Sequence, residues 1–247
     1  MQFVHRVLDP SRAFIADNLC ALAVMTKAPR AGQVKTRLVP PLTPEEAAQL
    51  NICFLRDTAA AIASACAPTA RGVAVYTPLG AESAYADILP REFDLLPQRG
   101  DGFGERLFFA TEDLFQCGFS SVCLIDSDSP TVSADVYEKA VEILSKSDDR
   151  VVLGPSDDGG YYLIGLKRSR PKLFEGIDWS TERVLEQTQR RAKEINIDVA
   201  LLPTGYDVDD ASTLRRLRDE LLSESSDPKV APHTRKFLAE LTAETRF

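Results

Sequence analysis

Histidine is nearly absent: His5 and His233 are the only two in 247 residues. That scarcity argues against a zinc centre and against a histidine-based nucleophilic triad. Cysteine is sparse and scattered. Cys20, Cys53, Cys66, Cys117 and Cys123 form no C-x-x-C pair and fall mainly in apolar segments, so they read as reduced core thiols of a cytoplasmic protein. No apolar run is long enough to span a bilayer, and the first residues, with Asp9 and Asp17 among several basic ones, carry no signal-peptide pattern. Positive charge is also in short supply, with 29 Lys and Arg against 37 Asp and Glu and a formal net charge of −8. A general nucleic-acid binder would show a basic stripe, so neither nucleic acid nor a membrane is expected as a partner. Any phosphate site must then be a local basic island on an acidic body.

The apolar fraction of 44% is sufficient for a sizeable core. Residues 1–18 read as an extension, helical over 9–17, ahead of a catalytic domain over 19–222. A polar linker at 223–232 and a short helix make up the remainder, 223–247. The run CALAVMT at 20–26 predicts a buried parallel strand. Thr43, Pro44 and Glu46 form a capping box at the head of a helix that continues to about Cys66. Further strands are expected at 73–77, 121–125, 151–154, 161–166 and 195–202, and helices at 104–116, 133–146, 180–193 and 211–222. Alternating strands and helices imply a three-layer α/β/α fold with a mainly parallel, doubly wound central sheet. Such sheets bind ligands beyond the carboxyl ends of their strands, where the polar motifs of this chain fall.

The first motif, KAPRAGQVKTRL at 27–38, places Lys27, Arg30, Lys35 and Arg37 within eleven residues directly after the first strand. It lacks the second glycine of a Walker loop, yet its point charges and forked donors suit a di- or triphosphate. The second is DSDSP at 126–130, where Asp126 and Asp128 end an apolar strand. Two carboxylates spaced i, i+2 can share a hard cation while substrate phosphates complete its shell, which points to Mg2+ or Mn2+. The third, GPSDDGGYY at 154–162, holds Asp157, Asp158, Gly159 and Gly160. A hairpin turn alone would need the glycines, and a backbone approach to a sugar or base would use the acids too; both readings stay open. The fourth, YDVDD at 206–210, offers Asp207 and Asp209 to the same metal, with Asp209 or Asp210 as an alternative helix cap. Trp179 and Thr181 sit in a WST segment that either caps a helix or presents an aromatic ring to a ligand. Residues 100–106, although glycine-rich, lack the Rossmann spacing and read as a turn into a helix.

Taken in order, KAPRAGQVKTRL, DSDSP, GPSDDGGYYLIGL, WST and YDVDD resemble the glycosyltransferase-A, or nucleotide-diphospho-sugar transferase, superfamily. More narrowly the set is similar to a bacterial family of radical-SAM/selenodomain-associated, glycosyltransferase-like transferases. The resemblance runs from Lys27 to Asp210. It implies a nucleotide held by Lys27, Arg30, Lys35 and Arg37 and a divalent metal at the acidic motif. Asp128-Ser129-Pro130 is also similar to the Asp-x-Pro signature of molybdenum-cofactor and phospholactate nucleotidyltransferases, where an Asp-Val-Asp pattern recurs. By that likeness Asp128 and Asp209 are the foremost metal ligands, with Asp126 secondary. The expectation is a transferase that moves a glycosyl group from a nucleotide sugar to a small-molecule acceptor. Asp157 or Asp158 would act as base or orient the acceptor, and Gly159, Gly160, Trp179 and Thr181 would contact substrate. The alternatives are nucleotidyl transfer from a nucleoside triphosphate and a nucleotide-binding regulator without turnover. The sequence sets no oligomeric state.

Overall fold

A computed structural model describes residues 3–12, 18–66 and 68–243. Its strands are β1 (Cys20–Lys27), β2 (Ala70–Thr77), β3 (Asp94–Pro97), β4 (Ser121–Ile125), β5 (Arg150–Pro155), β6 (Tyr161–Leu166) and β7 (Asp198–Leu201). They form one sheet in the order β3-β2-β1-β4-β6-β5-β7. The apolar run at residue 20 becomes the centre of that sheet because both of its faces are covered. Cys20, Leu22 and Val24 point into one core and Ala21 and Ala23 into the other, the period of two expected of a strand.

The helices are α1 (Pro44–Ala65), α2 (Phe103–Gln116), α3 (Ala134–Ser145), α4 (Val184–Glu194), α5 (Ala211–Leu222) and α6 (Pro232–Ala243). Leu55, Ala59 and Ile62 of α1 pack with Tyr137, Ala140 and Leu144 of α3 on one face of the sheet. Leu107 and Leu114 of α2 and Ala192 of α4 cover the opposite face. The three-layer α/β/α arrangement is therefore present. A third cluster joins Leu50 and Phe54 of α1 to Leu214 and Leu217 of α5 and Leu238 and Leu241 of α6. The buried Asp57 carboxylate of α1 accepts from the backbone N–H groups of His233 (3.0 Å) and Thr234 (2.8 Å), capping α6.

The pairings β1–β2, β1–β4, β2–β3 and β5–β7 are parallel, and the two that involve β6 are antiparallel. Because β6 is reversed, with Leu163 opposite Ile125, its amino end and the turn before it lie at the same sheet edge as the carboxyl ends of β1 and β4.

Several boundaries differ from the sequence expectation. The helix expected from Ser180 begins at Val184, because Ser180 has φ 63, outside the right-handed helical region. The strand expected over 195–202 shortens to Asp198–Leu201. β3 was not expected; it starts with an aspartate and has only four residues. Residues beside it come from the amino-terminal extension: Val7 bridges Leu95, and Leu8 N–H donates to Leu95 O at 2.7 Å. Arg6 pairs with Asp94, and the His5 ring lies between Phe93 O and Tyr85 O. This short segment covers the free edge of β3. Of the helix expected over 9–17, residues 9–12 form a turn closed by Arg12 N–H to Asp9 O, and residues 13–17 lie outside the described residues. Among the described residues no helix is long and apolar enough to cross a membrane, and all five cysteines are free thiols.

Candidate active site

Two adjoining cavities open at the carboxyl edge of the sheet. The smaller, about 270 Å3, is bounded by the loop after β1, with Lys27, Gln33, Lys35, Thr36 and Arg37, and by Asn51 of α1. The larger, about 540 Å3, is lined by residues of β4 and β6, by Phe103 and Trp179, and by Asp126, Asp158 and Asp207. Arg37, Ser127, Asp128 and Asp209 border both, so the acidic motifs form the shared wall.

Asp126 and Asp128 leave the end of β4 in a tight polar turn. Asp126 accepts from Ser129 Oγ at 2.8 Å and from the Asp128 N–H at 3.3 Å. Burial, then the Asp128 charge, push the Asp126 carboxyl well above the usual carboxylate range. Asp128 is joined to the loop after β7 by a backbone bond, Val208 N–H to Asp128 O at 3.0 Å, which brings Asp209 beside it although the two are far apart in sequence. Burial pushes Asp207 up to about 6, with Asp158, Asp209 and Asp128 adding to the effect. Ser156 Oγ donates to Asp207 at 3.3 Å.

Lys35 does not extend into solvent as a free phosphate donor. Its side chain is 5% exposed, with Nζ 3.0 Å from Asp128 Oδ1 and 2.9 Å from Asp209 Oδ1. Nζ also donates to Val208 O at 2.7 Å and lies 5.5 Å from the centre of the Phe54 ring. Burial pulls the ammonium pKa down, but Asp128 and Asp209 outweigh it and the net shift is upward. The backbone at Lys35 is left-handed, φ 48, at the head of a short 3-10 turn over Thr36–Leu38. Arg37 remains 75% exposed, 3.9 Å from Asp209 Oδ2. Lys27 is exposed on the wall of the smaller cavity, and Arg30 is exposed but lines neither cavity.

The adjacent acids Asp157 and Asp158 diverge. Asp157 Oδ2 pairs with Arg216 Nη1 of α5, itself stacked 3.8 Å from the centre of the Tyr206 ring, and Asp157 lines neither cavity. Asp158 lines the larger cavity, and its Oδ1 accepts from the Gly160 N–H at 2.8 Å. Gly160 borders the same cavity. Gly159, at φ 90, serves packing: a Cβ there would lie 2.1 Å from Glu182 O, and its own carbonyl accepts from Leu185 N–H at 2.9 Å. Trp179 forms an edge-to-face pair with Phe103, ring centres 5.3 Å apart, and its indole nitrogen would meet a Cβ on Gly104 at 2.3 Å. Thr181 donates to Asp178 O at 2.7 Å and accepts from Arg183 N–H at 3.3 Å while bordering the larger cavity.

Asp210 caps α5, accepting from the N–H groups of Ser212 and Thr213, which leaves Asp207 and Asp209 for the cavities. Sequence reasoning missed Asn51, Phe103 and Arg216. Asn51 is 5% exposed and its side-chain oxygen has no partner although the residue borders the smaller cavity. A polar residue on the mainly apolar, buried face of α1 was the available signal, one that Asp57 and Thr58 share.

The doubly wound sheet, with a basic loop after its first strand and acids after its fourth, has the fold of nucleotide-diphospho-sugar transferase-like proteins. The solved structures agree. A protein from Desulfovibrio desulfuricans G20, provisionally described as a nucleotide-diphospho-sugar transferase, superposes with a TM-score of 0.82 at 28% identity, over 94% of this chain and 98% of that one. The CMP:2-keto-3-deoxy-manno-octonic acid synthetase complexed with CTP gives a TM-score of 0.51 at 11% identity, over 81% of this chain and 96% of that one. A nucleotidyl transferase from Methanothermobacter gives 0.51 at 14% identity, over 82% and 97%. The last two likenesses are of fold alone. Residues 59–181 match the family described as "Uncharacterized protein conserved in bacteria (DUF2064)". That span holds Asp126, Asp128, Asp157–Gly160, Trp179 and Thr181 but neither the basic loop nor Asp209. A search of the curated proteins finds no match.

Proposed function

We propose that the chain is a metal-dependent transferase that moves a glycosyl group from a nucleotide sugar to a small-molecule acceptor. One observation carries this reading: a cation-lined cavity and a larger, aromatic-walled cavity meet over Asp128 and Asp209. A diphosphate held in the first would extend its sugar into the second.

The donor set fits a hard divalent cation. Asp128 and Asp209 would supply carboxylate oxygens, the chemistry of Mg2+ or Mn2+ sites, with Asp126, bonded to Ser129 Oγ, secondary. Asp128 and Asp209 already share one cation, the Lys35 ammonium. Among the described residues no three His, Cys, Asp or Glu side chains converge closely enough to hold an ion unaided, so phosphate oxygens must complete the shell. When bound, the metal supplies charge neutralisation for the departing diphosphate.

The remaining work falls to side chains. Lys27 and Arg37 bind phosphate oxygens from the wall of the smaller cavity. Asp158, with Gly160, faces the sugar and acceptor side and takes the proton of the attacking hydroxyl. Phe103 and Trp179, paired edge to face in the lining of the larger cavity, offer the sugar an apolar surface. Asp157 takes no direct part, being held by Arg216.

A second reading, nucleotidyl transfer, draws support from the approach of Asp128 and Asp209 to one point, the pair that the Asp-x-Pro likeness singles out. Product analysis separates the two. The protein is incubated with Mg2+, small-molecule acceptors and either nucleotide sugars or nucleoside triphosphates, and products are identified by mass spectrometry. Glycosyl transfer releases a nucleoside diphosphate and a glycosylated acceptor. Pyrophosphate and a nucleotide-linked product, with no reaction from any sugar donor, would overturn the proposal in favour of the second reading.

A further inference from the structure

Lys35 stands where the proposed metal would act. Its ammonium holds Asp128 and Asp209 at 3.0 and 2.9 Å and is nearly sealed from solvent. A nucleotide's phosphates, entering the smaller cavity, would find this cation already spent on carboxylates. Two independent features set Lys35 apart from an ordinary buried ion pair. Its backbone is left-handed, φ 48, a conformation that non-glycine residues adopt sparingly and that concentrates at functional sites. In the wall of the same cavity, Asn51 buries a side-chain oxygen that has no hydrogen-bond donor. A buried acceptor left without a donor marks a contact still to be made.

We propose, building on the transferase reading above, that Lys35 is a two-position residue that couples metal entry to nucleotide binding. In the free protein it closes the carboxylate pair. When a divalent cation takes Asp128 and Asp209, the ammonium is released to the nucleotide phosphates, with Asn51 Oδ1 as its fixed acceptor in the cavity wall. Lys35 thereby acts as a positioning residue, and it makes metal and nucleotide bind cooperatively: each relieves the charge conflict that the other would meet.

The test measures binding, not turnover. Mn2+ affinity is measured by water-proton relaxation in the wild type and in Lys35→Met, without nucleotide. UDP, GDP, CDP and ADP are then titrated calorimetrically into both, with chelator and with saturating Mn2+. Lys35→Met is expected to bind Mn2+ alone at least tenfold more tightly. Mn2+ is expected to raise wild-type affinity for the preferred diphosphate at least tenfold, and Lys35→Met is expected to keep only the part of that gain that direct metal–phosphate contact supplies. Asn51→Leu is expected to reduce the gain while leaving affinity for Mn2+ alone unchanged. Should Lys35→Met fail to fold, Lys35→Arg carries the test: its fork bridges both carboxylates, so Mn2+ binds no tighter than to wild type and the gain shrinks. Unchanged Mn2+ affinity in Lys35→Met, or a full gain in either Lys35 variant, would overturn the coupling while leaving the transferase reading intact. A wild type that binds neither Mn2+ nor any of the diphosphates would overturn both.

Discussion

Asp157 is tied to Arg216 and Asp158 borders the larger cavity, so neighbouring carboxylates should respond differently to the same change. Asp158→Asn is expected to lower kcat/KM by about 100-fold or more, the usual reach of a positioned general base. Asp157→Asn removes a surface ion pair worth about 0–1 kcal/mol and should stay within about fivefold of wild type. Equal losses in the two variants, measured by steady-state kinetics, would contradict that assignment. The basic loop divides in the same way. Arg37→Ala and Lys27→Ala should each weaken nucleotide binding by about 1–3 kcal/mol, the range for hydrogen bonds to charged groups. Arg30→Ala should leave it unchanged in calorimetric titration, since Arg30 lines neither cavity; an equal effect at Arg30 would mean that the loop acts through diffuse charge. The sequence made the residue types of this site legible because carboxylates and cations follow apolar strands. It could not show which of Asp157 and Asp158 faces the cavity, because that is decided by Arg216, 59 residues away. Nor could it show that Lys35 is buried, since Asp128 and Asp209 reach it only through the folded sheet.

At the scale of elements, local chemistry was the most readable. The capping box at Thr43 and Glu46 is present with both of its hydrogen bonds, Glu46 N–H to Thr43 Oγ1 at 3.2 Å and Thr43 N–H to Glu46 Oε2 at 2.7 Å. β4 and α5 have the expected bounds. What escaped was β3, four residues secured between β2 and residues 6–8, which depends on distant partners; the hairpin reading of the glycine turn at 157–160 did anticipate the antiparallel β5–β6 pair, but not the placing of β6 beside β4. α5 offers a direct test of capping. Backbone hydrogen bonding from Thr213, then the Ser212 side chain, hold the Asp210 carboxyl down to about 2. A depressed folded-state value stabilises above the unfolded value of 3.8, and the benefit is lost as pH falls through about 2. Asp210→Ala is therefore expected to cost about 0.5–2 kcal/mol at pH 7 and Asp210→Asn much less, since asparagine also caps. Urea unfolding at pH 7 and pH 2 checks this; a deficit for Asp210→Ala that does not shrink at pH 2 would contradict it.

On the scale of the whole molecule, the fold assembles four separated stretches of chain at one sheet edge. The loop after β1 brings cations, the ends of β4 and β7 bring Asp128 and Asp209, and the reversed β6 brings Asp158 and Gly160. The proposed function rests on that convergence, by which one composite site would take a nucleotide and a divalent metal together. The most direct measurement is thermal unfolding of the wild type and Asp128→Asn with nucleotide sugars and triphosphates, with and without Mg2+. A ligand at about 100 times its Kd stabilises the folded state by about 2.7 kcal/mol, which for a chain of this size raises Tm by about 5–10 °C. The account predicts such a rise for at least one nucleotide, dependent on Mg2+ and absent from a folded Asp128→Asn. No rise with any nucleotide, or an equal rise in chelator and in Asp128→Asn, would contradict it.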